Sequence, residues 1–188
     1  MPCNLTKGRN ITCRESVGGI KFVYFAQHSE LTSTTVSSGE LTDFDLGSGD
    51  DIYRYKLPRG TGSVTETITG SVENGTIFYA QSLNIKLHRL TKEDQNQIKL
   101  LAANRLLVFV QMNELVEGTT HDKILCLGRV NGLLLNAGTN VTGAAFGDMN
   151  GYDWTFDGQE VDPMPMVADY TTTPLDNAAF TYNSIVTS

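Results

Sequence analysis

The sequence predicts a mainly β, single-domain protein with one short α-helix, and three observations carry that prediction. Thr, Gly, Ser and Asn are plentiful while charged residues make up only 19%, a mix that favours strands and turns over long helices. Several segments alternate apolar and polar residues with period two, the spacing of strands with one covered face. Only one stretch, about residues 92–103, has helical spacing behind a capping residue. At 188 residues the chain suits one domain with a substantial core and is short for two. It divides into an N-terminal arm over 1–17, a β core over 18–161 interrupted by a long loop at 28–51, and a C-terminal arm over 162–188.

The first strand follows Gly18-Gly19: in IKFVYFA, Ile20, Phe22 and Tyr24 alternate with Lys21, Val23 and Phe25, so both faces are apolar enough to be covered. From His28 to Asp51 the chain turns to Ser, Thr, Gly and acid, which reads as a mobile tip or an arm that orders against a neighbour. IYRYKLP resumes a strand. SVTETITGSV then sets Val64, Ile68 and Val72 on one face against Thr65, Thr67 and Thr69 on the other. Asn74-Gly75 provides a tight turn with positive φ angles, and the return strand points Ile77, Tyr79, Leu83, Ile85 and Leu87 inward.

Thr91 is an N-cap ahead of Glu93 and Asp94, and Ile98, Leu101 and Ala102 share one face of the helix it starts, which stops near Asn104. The next strand, LLVFVQM, is apolar on both faces and is therefore central or covered by that helix. One or two strands follow the Glu117-Gly118 turn, interrupted at Asn131-Gly132. In the last strand Tyr152, Trp154 and Phe156 pack while Asp153, Thr155 and Asp157 face water. The segment after Val161 loses periodicity but keeps Met164, Met166, Val167, Tyr170, Leu175, Phe180 and Tyr182. That is too apolar for disorder, so it lies against its own domain or a neighbour. Read as an inter-subunit arm, its removal leaves a folded subunit that no longer polymerises.

The formal net charge of −7 is unevenly placed. No Lys or Arg occurs beyond Arg129, whereas Asp148, Asp153, Asp157, Glu160, Asp162, Asp169 and Asp176 all do. A second acid-only stretch runs from Glu30 to Asp51. These read as solvated acidic surface, and the scattered basic residues do not make the patch that tight nucleic-acid binding requires. No segment approaches the roughly 20 apolar residues of a membrane-spanning helix, and the N-terminus lacks the apolar run of a signal peptide. Cys3, Cys13 and Cys126 form no CxxC pair and read as free thiols in a reduced compartment, with a small Cys3–Cys13 loop as the alternative. The sequons at Asn4, Asn10, Asn74 and Asn140 read as coincidences of an Asn- and Thr-rich chain.

His28, His88 and His121 fall in a loop, on a polar strand face and in a turn, and none has a nucleophile at motif spacing. The chain therefore reads as non-enzymatic, with no catalytic residues and no cofactor. One weak calcium candidate stands out: Asp148, Asn150 and Asp153 around Gly151, hard oxygen donors at close spacing but without the terminal Glu of a calcium loop. A calcium- or carbohydrate-binding β-sandwich is thus an alternative reading.

Two stretches carry a resemblance. CNLTKGR, a second Cys and VGGIKFVYFA resemble the opening of virion structural proteins of tailed bacteriophages. AFGDMNGYDWTFDGQEVDP resembles their last strand, and the order of hairpin, helix and core strand is similar to that of tail tube proteins. The resemblance implies an antiparallel β-sandwich or half-barrel whose copies form stacked, hexameric rings around an acidic channel. DNA passes through that channel without being tightly bound. It also implies other virion proteins as partners, no membrane, synthesis in the cytoplasm of a host bacterium and residence in the phage tail. A head decoration, neck or connector protein is the alternative within the virion. By analogy the Val64–Leu87 hairpin would line the channel and the 28–51 loop would reach the adjacent ring. Glu66, Glu73, Lys86 and Arg89 leave that hairpin only weakly acidic.

Overall fold

The computed structural model describes residues 7–9 and 16–187. Cys3, Cys13, Asn4 and Asn10, with most of the expected N-terminal arm, lie outside the described residues. The elements are β1 (Ile20–Gln27), a 3-10 turn (His28–Glu30), β2 (Ser33–Ser37), β3 (Glu40–Asp45), β4 (Ile52–Lys56), β5 (Gly62–Ser71) and β6 (Thr76–His88). After these come α1 (Lys92–Ala103), β7 (Leu106–Leu115), β8 (Asp122–Leu127), β9 (Leu134–Val141), β10 (Gly151–Glu160), β11 (Met166–Val167) and β12 (Ile185–Val186). The fold is mainly β, with one helix and two sheets in a sandwich-like arrangement. The larger sheet has the order β12-β4-β1-β7-β8-β11-β3-β2 and the smaller β5-β6-β10-β9.

Two cores result. One fills the space between the sheets: Val23, Phe25, Val108 and Val110 from β1 and β7 meet Leu83, Ile85, Trp154 and Phe156 from β6 and β10, and Leu101 of α1 caps them. The other covers the far face of the larger sheet, where Tyr24, Leu107, Phe109 and Cys126 pack on Leu41, Phe44, Ile52, Val167, Leu175 and Phe180. β1 and β7 are thus buried on both faces, as their sequences imply. The helix starts where expected, with the Thr91 hydroxyl accepting from the Asp94 amide at 3.1 Å, and Asn104 ends it. Ala102, however, is exposed.

Three expectations need correction. The stretch 28–51 is not a long loop: β2 and β3 form a hairpin that joins the larger sheet. Its two-residue turn, Ser38-Gly39, has φ angles of 53° and 87°, the doubly positive geometry that matches strand twist in a tight hairpin. Asn74-Gly75, by contrast, sits in a four-residue loop between Ser71 and Thr76, where only Gly75 has positive φ.

Of the two places expected for the C-terminal segment, the structure shows the first, against its own domain. Thr181 bridges Asp45 at the end of β3, while Ile185 and Val186 pair with Ile52 and Tyr53 on β4. The segment therefore spans the two ends of the larger sheet and curls it around the second core. Burial of Val167, Leu175 and Phe180 is worth roughly 1.5–3 kcal/mol for each large side chain, so removing 162–188 takes away part of the fold itself.

The third correction concerns the hairpin of β5 and β6. Leu83 and Ile85 are fully buried, but Ile68 is 65% and Ile77 61% exposed, and Val72 is fully exposed. The inward face runs on past the end of the core.

Candidate assembly interface

Strand edges differ sharply between the sheets. The larger sheet ends in β12, two residues long, and β2, five residues long and paired with β3 across a bulge at Thr42 of β3, where Thr35 pairs with Asp43 but Val36 with Leu41. Short, bulged edges resist pairing with another chain. The smaller sheet ends in β5, ten residues, and β9, eight residues. Neither contains Pro or Lys, β9 has no charged residue, and the one charge on β5, Glu66, is engaged at home: it accepts from Gln81 Nε2 at 3.1 Å and from the Met164 amide at 2.7 Å. Long, unguarded edges leave a row of main-chain donors and acceptors open to a further strand.

β5, β6, β10 and β9 are all antiparallel neighbours, so β5 and β9 run in opposite directions. A second copy rotated about an axis along the strands would set its β5 antiparallel to the first copy's β9, a step that could repeat. The outward face of this sheet carries small polar groups on its first three strands, Ser63, Thr65 and Thr67 on β5, Ser82 and Asn84 on β6, and Thr155 on β10, while β9 adds exposed Leu134 and Val141 beside Thr139. Its charges are Lys86, Asp153 and Asp157. Lys86 Nζ lies 3.1 Å from Asp153, and Asn84 Nδ2 donates to the same carboxylate at 2.8 Å. These two contacts, the Asn84 bond foremost, hold the Asp153 carboxyl below the usual aspartate range. Asp157 accepts from Asn136 Nδ2 at 3.0 Å.

Along the inner side of β9, α1 and the strand bound an open groove of 290 Å³ lined by Ile98, Ala102, Leu135, Gly138, Asn140 and Trp154. Gly138 packs directly against the buried indole, where a Cβ would come within 3.0 Å of Trp154 Cδ1. The Trp154 indole nitrogen is the one buried side-chain polar atom among the described residues without a hydrogen-bond partner.

The calcium candidates do not converge on one point. Asp148 accepts from the amides of Ala144 and Ala145 at 2.9 and 2.8 Å, which keeps its carboxyl low. Asn150 Oδ1 accepts from the Leu90 amide at 3.3 Å, and Asp153 is committed to Asn84 and Lys86. Among the described residues no group of three or more His, Cys, Asp or Glu is placed to hold a metal ion. His28 Nε2 sits 3.2 Å from the Arg129 carbonyl. His121 pairs with Asp169 at 2.8 Å and stacks on Tyr170, and His88 is exposed at the end of β6.

Nor do the late acids form one acidic surface. Arg129 reaches Asp162 at 2.6 Å. Glu160 is buried and accepts from the amides of Val130 and Asn131 at 3.0 and 2.9 Å. In the earlier acidic stretch, Asp51 accepts from Ser184 and Asn183, and those two bonds lower its pKa. The fold thus sets acids of one region beside partners from another.

What sequence reasoning missed is which strands end the smaller sheet. Its signal was present, since two strands lack both Lys and Pro, but which strands are edges depends on pairing order. No protein-family model, curated protein or solved structure matches the chain.

Proposed function

We propose that the chain is a structural subunit of a bacteriophage tail tube, joining copies of itself through β5 and β9 into rings that stack around a channel. The observation that carries this reading is the pair of long, unguarded edges on opposite sides of one antiparallel sheet, a head-to-tail arrangement that closes into a ring or runs on as a filament. The resemblance of the opening and final strand segments to tail proteins supports the phage setting. The outward face, with one lysine against two aspartates among hydroxyls and amides, suits a wet wall past which DNA slides without being held, since tight binding needs clustered cations.

Electron microscopy and light scattering on the purified protein test the reading. Closed rings or tubes on the order of 100 Å across, the scale set by a ring of domains this size, are the expected result. A strict monomer at high concentration counts decisively against it. Trimers that bind only to preformed capsids would instead favour a head decoration protein.

A further inference from the structure

Resting on the edge-joining reading, we infer that a second copy joins its β5 to β9 after a slide of four residues along the strands. Val64 then comes opposite Asn140 and Glu66 opposite Gly138, and the joined strands are inclined to the ring axis.

The slide follows from where the two edges lie. Through the pairing of the four strands, Gly62 shares a row with Ile85, Trp154 and Gly138, and Thr65 shares one with Ser82, Asp157 and Leu134. A level copy would therefore pair only residues 62–65 with residues 134–138. Residues 66–71 would overhang at one end and residues 139–141 at the other. Moving the second copy four residues toward Val141 pairs residues 63–67 with residues 137–141. Beyond the extra residue Asn136 it brings Ile68 and Thr69 beside Leu135 and Leu134.

The main chain requires the slide to be even. The Thr61 carbonyl accepts from the Lys86 amide and the Asn150 carbonyl from the Arg89 amide. Carried along the ladders, this alternation turns the main-chain groups of Gly62, Val64, Glu66 and Ile68 away from β6, and those of Gly138 and Asn140 away from β10. An even slide sets these two free rows against each other and keeps the inward side chains on one face. An odd slide does neither.

Size and hand both fit a closed barrel. Four residues are ~14 Å along a strand and four strands ~19 Å across, so the strands incline by about 35°, within the range at which barrels close. A slide of two inclines them by only about 20° and leaves residues 68–71 overhanging. A slide of six steepens the tilt to about 47° and carries Ile68 past Leu135 to Gly138. Seen from the core face with β6 running upward, Ile85 points its side chain at the viewer and, being an L-residue, its main-chain groups rightward to β10. The offset then climbs to the right, the right-handed sense in which twisted strands wind round a barrel. The core face is thus the outside of that barrel.

The contacts agree. Glu66 meets a glycine, so its carboxylate keeps its bonds to Gln81 and Met164. Ile68, 65% exposed in the single subunit, gains an aliphatic neighbour in Leu135.

The test links copies by disulfides, in a Cys3→Ser, Cys13→Ser background that retains only buried Cys126. Thr139→Cys with Thr65→Cys reports the four-residue slide, because these two sites then lie opposite at the ~4.5 Å Cα spacing of an antiparallel pair without hydrogen bonds. Ala137→Cys with Thr67→Cys reports the same slide at a second pair. Thr139→Cys with Ser63→Cys or with Thr67→Cys reports slides of two and six, and Ala137→Cys with Ser63→Cys reports level joining. All five sites are exposed, and circular dichroism establishes that each variant folds. Within one subunit β5 and β9 stand three strand spacings apart, ~14 Å, too far for an internal disulfide. On oxidation, the two four-residue pairs should give covalent multimers at least ten-fold faster than the other three. Faster linking by any of those three overturns the slide while leaving edge joining intact. Assemblies that none of the five pairs links overturn the joint between β5 and β9, and a wild-type protein that stays monomeric overturns the assembly reading itself.

Discussion

The larger sheet finishes itself and the smaller one does not. Around the larger sheet the chain closes a circuit, with β3 at one end, β4 at the other and residues 181–186 touching both. Much of its apolar surface is consumed internally, although Val36, Tyr53 and Met166 stay partly exposed, and its last strands are short, five and two residues long. The smaller sheet has a covered inner face only over its middle strands, where Leu83, Ile85, Trp154 and Phe156 are sealed, while its outer strands carry exposed edges and exposed aliphatic residues. A domain can therefore hold stable and sticky surfaces together, provided the sticky ones are rooted in strands that the stable core fixes.

The contrast is broken most severely through the C-terminal segment. Phe180 packs on Phe44 with ring centroids 4.5 Å apart, and Phe180→Ala should cost about 3 kcal/mol by leaving a cavity in the second core, read as a lowered midpoint in urea. Assembly of whatever remains folded should be unchanged, because the smaller sheet is untouched.

A smaller effect separates the two kinds of edge. Asn140→Lys on β9 should raise the assembling concentration about ten-fold, equivalent to ~1.4 kcal/mol, whereas Thr35→Lys on β2 should leave it within two-fold of the wild type. Sedimentation at graded concentrations distinguishes them, and equal effects would remove the distinction between the sheets.

The smallest effect is electrostatic. Asp153 is held below its ordinary pKa in the folded chain, so its contribution is fully present above the unfolded aspartate range and is lost as pH falls through the folded value. The group is partly solvated, which limits the gain to under ~1 kcal/mol. Asp153→Asn should therefore lower stability at neutral pH by under ~1 kcal/mol, leave it nearly unchanged below the folded pKa, and flatten the acid limb of a stability-against-pH curve by that amount.

Much of the fold was legible because its strongest signals are local. The capped helix, the doubly apolar β1 and β7, and the alternating Tyr152, Trp154 and Phe156 all declare themselves within ten residues or so. Failures cluster at bulges. Lys21 is an extra residue opposite β7, since Ile20 pairs with Met112 and Phe22 with Gln111. Ile20 therefore joins the face of Val23 and Phe25 instead of that of Phe22. Thr42 likewise puts Leu41 and Phe44, three apart, into one core, which hid β3 inside an apparent loop. A further extra residue, Asn136, interrupts β9. Periodicity cannot announce a slip of one residue, because the pattern on each side remains valid alone. The open edges of the smaller sheet were less legible still, since edge status follows from β6 pairing with β10, some seventy residues away.

The four strands of the smaller sheet have a consequence in time. They come as two hairpins, β5 with β6 and β9 with β10, each built from contacts close in the chain, whereas β1 must find β7 and β4 must find β12. Local contacts form faster than distant ones, so these two hairpins take shape before the larger sheet has closed its circuit. Crowded, slowly folding chains should thus meet through those edges while still unfinished, and refolding yield should fall with concentration more steeply than stability alone would dictate.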